Sequence, residues 1–315
     1  MKKFNKTQLN KIAKEQGFVR DTYEKVLRLK YFLNYVYTDE FLSEHLALKG
    51  GTTINLILLK VPRLSVDIDF DFIPNCSLAE MKEFRYKITE VVNNKMKEDG
   101  YTLITDPNYS FSLDSFGYQY LNVGGNKDII KIEINYSLRS HLFPPVKRNL
   151  RFEEGENDPL ISILDPIEIF AAKINALLGR TKARDLLDCV NLIKAKIFTN
   201  DQYDLLRKAV IFYYSISQKE VNPTFDLSPI KSISYNTVKR DLFPVMRKEE
   251  VNTFDLVTDK ELVLHYLKDL LVLTPSEKEY LTKFKNKEYY PELLFDDKEI
   301  IDRIKDHPMV RWKLK

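Results

Sequence analysis

The sequence KGGTTINLILLKVPRLSVDIDFDF, residues 49–72, decides how the rest of the chain can be interpreted. Its last eight residues alternate without interruption between polar and apolar side chains. The apolar positions are Val66, Ile68, Phe70 and Phe72, and the polar positions are Ser65, Asp67, Asp69 and Asp71. A period of two residues with β-branched and aromatic side chains on one face is typical of a half-buried β-strand. The stretch therefore predicts a strand over 65–72.

The polar face of this strand carries an unusual set of charges. Successive carboxylates on one face of a strand lie only about 7 Å apart and repel each other. A bound divalent cation converts this repulsion into attraction, and Mg²⁺ prefers carboxylate oxygens. We interpret Asp67 and Asp69 as metal ligands.

A glycine pair precedes the acidic strand. Gly50 and Gly51 follow an apolar stretch and lead, through Thr52, into a predicted helix over about 52–60. Glycines allow backbone N–H groups to approach a ligand closely, and the start of a helix favours bound phosphate. The sequence thus predicts a phosphate site next to a metal site, as a metal–nucleotide enzyme requires.

This combination resembles a known family. Lys-Gly-Gly-Thr, a short helix and then Arg-Leu-Ser-x-Asp-Ile-Asp-Phe are similar to the signature of the AbiEii-type toxin nucleotidyltransferases, which belong to the DNA polymerase β-like superfamily. The spacer from Gly51 to Asp67 is longer than in many superfamily members but resembles that of the AbiEii branch. A bare Asp-x-Asp also occurs in sugar-nucleotide glycosyltransferases, so the glycines and the acids carry the resemblance together. It implies a nucleotidyltransferase-like α+β fold with a mixed or antiparallel sheet flanked by helices.

A second alternating segment, IIKIEINY at 129–136, follows a turn rich in glycine and asparagine. Lys131, Glu133 and Asn135 share one face of this predicted strand. Two-metal phosphoryl transfer needs more carboxylate than one Asp pair provides, and the family has its third carboxylate in a similar Lys-x-Glu/Asp context. We interpret Glu133 as the third metal ligand. The alternative is an exposed glutamate on a solvated sheet face, which is also the interpretation of Lys131 and Asn135.

A third motif begins with Asp165-Pro166-Ile167-Glu168, a well-formed helix start. Gly179 is predicted to end that helix. The segment KINALLGRTKARDLLD, residues 173–188, is similar to the corresponding family region. The resemblance implies that Lys173 contacts the nucleotide triphosphate and that Arg184, Asp185 and Asp188 help to shape the site. Alternatively, the aspartates only hold Arg180 or Arg184 by ion pairs.

Composition restricts the classes of protein that remain. The chain has 315 residues, a formal net charge of +3 and 44% hydrophobic residues, which is typical of a globular protein. No apolar run approaches the length of a membrane span, and the first residues do not form a secretory signal. Two widely separated cysteines suit a reducing cytoplasm. Four scattered histidines without ligand spacing argue against zinc.

The remaining segments predict a largely helical chain around one sheet. Residues 1–47 are predicted to be helices that pack on the sheet, with a helix-turn-helix as the less favoured alternative. Short alternating runs at 101–105, 109–113 and 118–123 predict an antiparallel meander. Helices are predicted at 201–217, 259–273 and 276–286. The run YLTKFKNKEYY, 280–290, suits an amphipathic surface helix better than an RNA contact. Two domains are expected, a nucleotidyltransferase domain over 1–160 and a mainly helical domain over 161–315 that contributes Lys173 and the 184–188 segment.

These observations predict a Mg²⁺-dependent nucleotidyltransferase. Asp67, Asp69 and Glu133 would hold the metal, and phosphates would contact Lys49, Gly50, Gly51, Thr52, Ser65 and Lys173. The resemblance implies a toxin that uses an NTP, an RNA acceptor such as the 3′ end of tRNA, and a cognate antitoxin. One alternative is a nucleotide-binding protein that acts on DNA or protein without transfer. Another keeps the chemistry but uses a protein side chain or a small molecule as the acceptor.

Overall fold

The computed structural model describes residues 4–104 and 112–315. The chain forms two compact units. The first unit comprises Met1–Arg139, Val146–Ile163 and Pro244–Val251. The second comprises Ser140–Pro145, Leu164–Phe243 and Asn252–Lys315. The units thus alternate along the chain, whereas the two domains expected from the sequence are continuous. The boundary near residue 160 stays a prediction.

The first unit contains a mixed sheet. Its strands are β1 (Leu46–Lys49), β2 (Asp67–Phe72), β3 (Thr102–Leu103), β4 (Leu113–Leu121), β5 (Lys127–Asn135), β6 (Val146–Arg148) and β7 (Ile161–Ile163). Among the described residues their order is β3-β4-β5-β2-β1-β7-β6. Strand β2 is antiparallel to β1 but parallel to β5, and β1 is parallel to β7. The remaining pairs are antiparallel. The predicted mixed α+β fold is confirmed, although the antiparallel meander is limited to β3–β5.

The two central strands β2 and β5 owe their place to their apolar faces. Ile68, Phe70 and Phe72 of β2 are buried, as are Ile130, Ile132 and Ile134 of β5. In register, Ile68 lies opposite Ile132 and Phe70 opposite Ile134. The alternate side chains of both strands must therefore share the opposite face of the sheet. That face carries the predicted site.

The helices of residues 1–104 surround this sheet. They are α1 (Lys6–Glu15), α2 (Arg20–Thr38), α3 (Glu40–His45), α4 (Gly50–Thr53), a π-helix (Ile54–Leu58) and α5 (Leu78–Glu98). Helix α2 contacts β7 and buries Val26, Leu29 and Leu33 completely, which agrees with the packing that the sequence favours for this region. The helix predicted over about 52–60 instead starts at Gly50 and changes from α to π geometry at Ile54.

The rest of the chain is helical. Its helices are α6 (Pro166–Arg180), α7 (Ala183–Ala195), α8 (Gln202–Ser217), α9 (Ser228–Lys231), α10 (Tyr235–Asp241), α11 (Lys248–Thr253), α12 (Leu256–Leu270), α13 (Pro275–Lys285), α14 (Lys298–Ile304) and α15 (Pro308–Leu314). Helices α8, α12 and α13 correspond to the three predicted between 201 and 286. Helix α6 packs on α7 and α8 within the second unit. Of the described helices, none combines the length and apolarity that crossing a bilayer requires.

The start of α6 agrees with its sequence, but its end does not. The Asp165 carboxylate accepts a hydrogen bond from the Ile167 N–H at 2.8 Å, and Pro166 occupies the first helical position. Gly179, predicted to end the helix, lies inside it. Thr181 ends it in the left-handed conformation with φ 48°, which any residue other than glycine adopts at a cost. The helix thus ends close to the predicted position, but Thr181 and not Gly179 takes the left-handed conformation.

Two further predictions concern aromatic and alternating runs. In the 280–290 run, Tyr280 and Phe284 are buried and contact each other, whereas Tyr290 is 40% exposed. The run is therefore largely an amphipathic surface helix, as the sequence favours. The alternating run at 109–113 and the end of the run at 101–105 lie, for the most part, outside the described residues.

Candidate active site

One row of side chains crosses four neighbouring strands. Asp69 of β2 lies opposite Lys49 of β1 on one side and opposite Glu133 of β5 on the other. Glu133 in turn lies opposite Ser115 of β4. Residues directly opposite each other on neighbouring strands point to the same face. The sheet therefore brings Asp69 and Glu133 together on the face that the sequence predicts for the metal, while metal binding by them stays a prediction.

Glu133 makes several polar contacts within this row. It is hydrogen-bonded to Asp69 and accepts a hydrogen bond from the Ser115 hydroxyl at 3.1 Å. The Lys131 ammonium forms an ion pair with it at 2.6 Å. Burial acts to raise the pKa of Glu133, but Lys131 and the other hydrogen-bond partners outweigh burial and hold the pKa below its usual range. Glu133 is therefore ionised at neutral pH.

The Asp69–Glu133 contact is the feature that suits a cation. The negative charges of two neighbouring carboxylates repel each other. A divalent cation between them turns this repulsion into attraction and satisfies oxygens of both groups. The chemistry of this donor pair thus fits a hard metal ion. The third predicted ligand, Asp67, is half-buried and lies opposite Lys131 in the β2–β5 register. In residues 4–104 and 112–315, no three His, Cys, Asp or Glu side chains form a ready-made metal cluster.

The third acid of the strand, Asp71, has a different environment. It is only 1% exposed and forms an ion pair with Lys49. Burial raises the pKa of Asp71, although Lys49 acts in the opposite direction. The alternation of β2 does not reveal this difference, because all three aspartates share one face. The structure engages Lys49 with Asp71, so the predicted contact between Lys49 and a nucleotide stays a prediction.

The glycine turn lies against the acidic row. Gly50 has φ +72°, and a Cβ atom added to it would lie 2.5 Å from Oδ2 of Asp69. Contacts that short are not tolerated, so only glycine fits at this position. The backbone at the start of α4 is therefore held directly against the carboxylate of Asp69.

Thr52 fastens this turn to the acidic strand. Its buried hydroxyl lies 3.0 Å from the Ser65 hydroxyl and also contacts the main-chain carbonyl of Asp67. The Asn55 amide donates to the carbonyl of Gly51 at 2.9 Å. These contacts fix the relative positions of the turn and the first residue of β2. The predicted phosphate contacts of Gly51, Thr52 and Ser65 stay predictions.

In the second unit, Lys173 forms the centre of a buried charge cluster. Its ammonium lies 2.8 Å from a carboxylate oxygen of Asp185 and 3.0 Å from one of Asp188. Lys173 is 7% exposed, Asp185 1% and Asp188 fully buried. Burial acts to raise the pKa of Asp185, but Lys173 and Arg180 outweigh burial and lower it. The cluster is therefore an ion-pair network in which one lysine compensates two carboxylates.

The two arginines of this region differ in their partners. Arg180 donates from Nε to Asp185 at 2.7 Å, which is the ion pair that the sequence offers as the alternative role of Asp185. Arg184 instead donates to the main-chain carbonyl of Asp241 at 2.8 Å. The short segment at Thr181 and Lys182 separates α6 from α7, so these residues do not share one unbroken helix. The predicted contact between Lys173 and the triphosphate, and the roles of Arg184, Asp185 and Asp188, stay predictions.

Ser115 is the one member of the row that the sequence did not single out. It lies in β4, in a stretch without a recognisable motif, and only the β4–β5 register places it opposite Glu133. The register of an antiparallel pair depends on which strands become neighbours, and no local signal gives that information.

Comparison with known proteins identifies a family. The model of the family described as "Nucleotidyl transferase AbiEii toxin, Type IV TA system" matches residues 31–264. This range includes the glycine turn, both acidic strands and the Lys173 cluster. Among curated proteins, none matches the chain.

Solved structures were compared with the chain as well. The chain resembles MenT4, a nucleotidyltransferase toxin from Mycobacterium tuberculosis H37Rv, with a TM-score of 0.64, 16% identity, and coverage of 90% of this chain and 98% of that one. At this identity the likeness shows the fold alone. The STING-associated CdnE c-di-GMP synthase from Capnocytophaga granulosa matches with a TM-score of 0.27 and 12% identity, over 95% of this chain and 82% of that one.

Proposed function

Because the chain belongs to the AbiEii family of nucleotidyltransferase toxins from type IV toxin–antitoxin systems, we propose that it transfers a nucleotide from an NTP to an acceptor hydroxyl with Mg²⁺ as cofactor. The acceptor oxygen forms a bond to the α-phosphorus, the bond from that phosphorus to the pyrophosphate oxygen breaks, and pyrophosphate leaves. The observation that carries this proposal is the contact between Asp69 and Glu133 next to Gly50.

Asp69 and Glu133 are the residues of this chain that would hold the metal, with Asp67 as the third ligand. When bound, Mg²⁺ neutralises the negative charge of the triphosphate and of the leaving pyrophosphate. Because the pKa of Glu133 lies below its usual range, this carboxylate is a weak base. We therefore assign it to metal binding rather than to removal of the proton from the acceptor hydroxyl.

The glycine turn is suited to the phosphates. The α4 backbone begins at Gly50, beside the Asp69 carboxylate, and a glycine pair at a helix start allows a phosphate to approach backbone N–H groups. Lys173 would offset further negative charge in the transition state. For that, a phosphate oxygen must replace one of the two aspartate partners of Lys173. A charged phosphate oxygen, like a carboxylate, is a strong hydrogen-bond acceptor.

The family implies an antitoxin as partner, and the acceptor that we propose is RNA, such as the 3′ end of tRNA, in the cytoplasm. The test is incubation of the pure protein with Mg²⁺, each α-labelled NTP in turn, and total tRNA. Label on tRNA, absent when the tRNA has been oxidised with periodate to remove its 3′ diol, supports transfer to the terminal hydroxyl. Label on a protein band after addition of cell lysate would instead identify a protein acceptor.

Matched variants make this test specific. Asp69→Asn is expected to abolish transfer, whereas Asp201→Asn, an exposed aspartate before α8 without a capping hydrogen bond, is expected to retain it. Tight binding of nucleotide without transfer to any acceptor, in parent and variants alike, would favour the alternative, a nucleotide-binding protein that acts through DNA or protein.

A further inference from the structure

A second cleft lies within the first unit, lined by none of the acidic residues described above. It has a volume of about 610 Å³, which is within the range of small-molecule sites. Residues from distant parts of the sequence line it, among them Phe18, Lys60, Val61, Arg151, Glu153 and Arg247. We infer that this cleft is a binding site for a nucleotide phosphate, either a free mononucleotide or one nucleotide of a single-stranded RNA.

The first observation is the surplus of positive charge. Lys60 and Arg151 are exposed at the cleft, and neither side chain has an ion-pair partner among the described residues. Arg247 adds a third cation. The cleft also contains Glu153 and Glu154, but the Glu153 carboxylate already accepts the hydroxyl hydrogen of Tyr23. Glu153 stays negatively charged when it accepts this hydrogen bond, and Glu250 interacts electrostatically with Arg247. The cations that favour an anionic ligand are therefore Lys60 and Arg151.

The second observation is that Arg247 is held in place before any ligand arrives. It donates to the main-chain carbonyl of Gln16 at 2.6 Å and to that of Val61 at 3.4 Å. Its guanidinium lies over the ring of Phe18, 4.5 Å from the ring centroid. A planar guanidinium fixed in this way suits phosphate oxygens along its edge and the face of a base along its plane.

The third observation concerns the backbone. Five non-glycine residues of the described chain have a positive φ. Thr181 and Lys196 end helices, and Lys287 directly follows the cap of another. The remaining two, Val61 with φ 51° and Glu153 with φ 48°, both line this cleft. For β-branched Val61 this conformation is particularly unfavourable, and strained residues of this kind concentrate at ligand sites.

The chemical class of the ligand follows from these features together. Phe18, Tyr23 and Phe152 border the cleft but are buried, so the flat surface for a ligand is the plane of the Arg247 guanidinium. A bare anion would need the cations but not this plane. A ligand that combines a phosphate with a flat ring satisfies both. Base stacking on aromatic or guanidinium planes together with phosphate contacts is the usual mode of binding for single-stranded nucleic acid.

The site is testable without the transfer reaction, so its outcome is independent of the proposed function. Binding of each nucleoside monophosphate and of a fluorescent oligouridylate is measured in EDTA, where the acidic site lacks metal. The double variant Lys60→Gln/Arg151→Gln is expected to bind about tenfold more weakly or worse, because charge-assisted hydrogen bonds are lost. Arg148→Gln, an exposed cation of β6 that does not line the cleft, is the control and is expected to bind as the parent does.

The two sources of ligand give different results. A free-nucleotide site binds monophosphates measurably. An RNA site binds only the oligonucleotide, and its affinity falls as salt rises. The slope of log K against log salt concentration should be smaller in magnitude by roughly 1.4 for the double variant, which loses two phosphate contacts. Absence of binding for every probe would overturn the inference, as would equal binding by the double variant. Competition by inorganic phosphate as effective as that of a monophosphate would overturn recognition of the ring. Both variants replace exposed side chains, and equal melting temperatures exclude unfolding as the cause.

Discussion

The close approach of Gly50 to the Asp69 carboxylate provides a sharp test of the candidate active site. Gly50→Ala places a methyl group where the nearest atom, Oδ2 of Asp69, lies at 2.5 Å. Ordinary van der Waals contact begins at 3.4 Å, so the carboxylate has to move by 3.4 − 2.5 = 0.9 Å. A misplacement of about 1 Å in a reacting group costs roughly 10²-fold in rate. We therefore expect transfer by Gly50→Ala to fall about 10²-fold.

The same substitution also strains the backbone, and a matched variant separates the two effects. Gly50 has φ +72°, and a left-handed conformation costs a non-glycine residue about 1–2 kcal/mol. Gly125 in the β4–β5 turn has φ +84°, and an added Cβ atom meets nothing within 4 Å. Gly125→Ala should therefore lose a similar free energy of unfolding, measured by urea denaturation, but retain transfer activity.

Comparing these two variants shows whether the loss of transfer comes from the displaced Asp69 carboxylate or from backbone strain. Transfer is measured from the labelled NTP at a temperature where both variants remain folded. If Gly50→Ala and Gly125→Ala transferred nucleotide equally well, the contact between the glycine turn and Asp69 would be unrelated to catalysis. The assignment of Asp69 to the metal site would then lose its main structural support.

Three other substitutions test the remaining charged groups. Glu133→Gln should lower transfer at least about 10²-fold, as loss of a metal ligand does, while the free energy of unfolding changes by less than about 1 kcal/mol because its ion pair is partly exposed. Lys173→Met should lower the free energy of unfolding by about 3–5 kcal/mol, since it removes the buried cation that pairs with both Asp185 and Asp188, whereas Lys182→Met at an exposed neighbouring position should change it little. Burial raises the pKa of Glu168 from 4.5 to about 8, so the folded state binds this proton more tightly than the unfolded state. Stability should therefore decrease as pH rises from 4.5 to 8, by roughly 3–5 kcal/mol for this group, and a pH series of urea denaturations should show a flatter profile for Glu168→Gln. An unchanged profile would show that Glu168 titrates normally.

Much of the candidate site is visible in the sequence because its signals are local. The alternation of 65–72 identifies a strand with an acidic face, and the alternation of 129–136 identifies its partner. The apolar faces of both strands are buried, so their remaining side chains share the other face of the sheet. There, Glu133 lies opposite Asp69. Period and burial predict which side chains share a face, whereas the pairing that puts Glu133 opposite Asp69 depends on which strands become neighbours.

The parts that the sequence did not predict depend on contacts between distant residues. Nothing local distinguishes Asp71 from Asp69, yet the ion pair with Lys49 and burial give Asp71 a raised pKa. Similarly, the segment Pro244–Val251 belongs to the first unit, where Val245 accepts a hydrogen bond from Leu64 at 2.8 Å. Such pairings depend on the whole topology, which neither periodicity nor capping signals contain.

The three aspartates of β2 show how one pattern serves different purposes. Asp71 is buried with its own lysine, so its charge is compensated inside the protein and it has little reason to bind a ligand. Asp69 has Glu133 as its neighbour and Gly50 against its carboxylate, so its position suits a cation shared by two carboxylates and a phosphate. Asp67 lies at the first residue of the strand, where the Thr52 hydroxyl holds its carbonyl next to the glycine turn. Asp69 touches both a second carboxylate and the glycine turn, and this combination is expected of a metal–phosphate site.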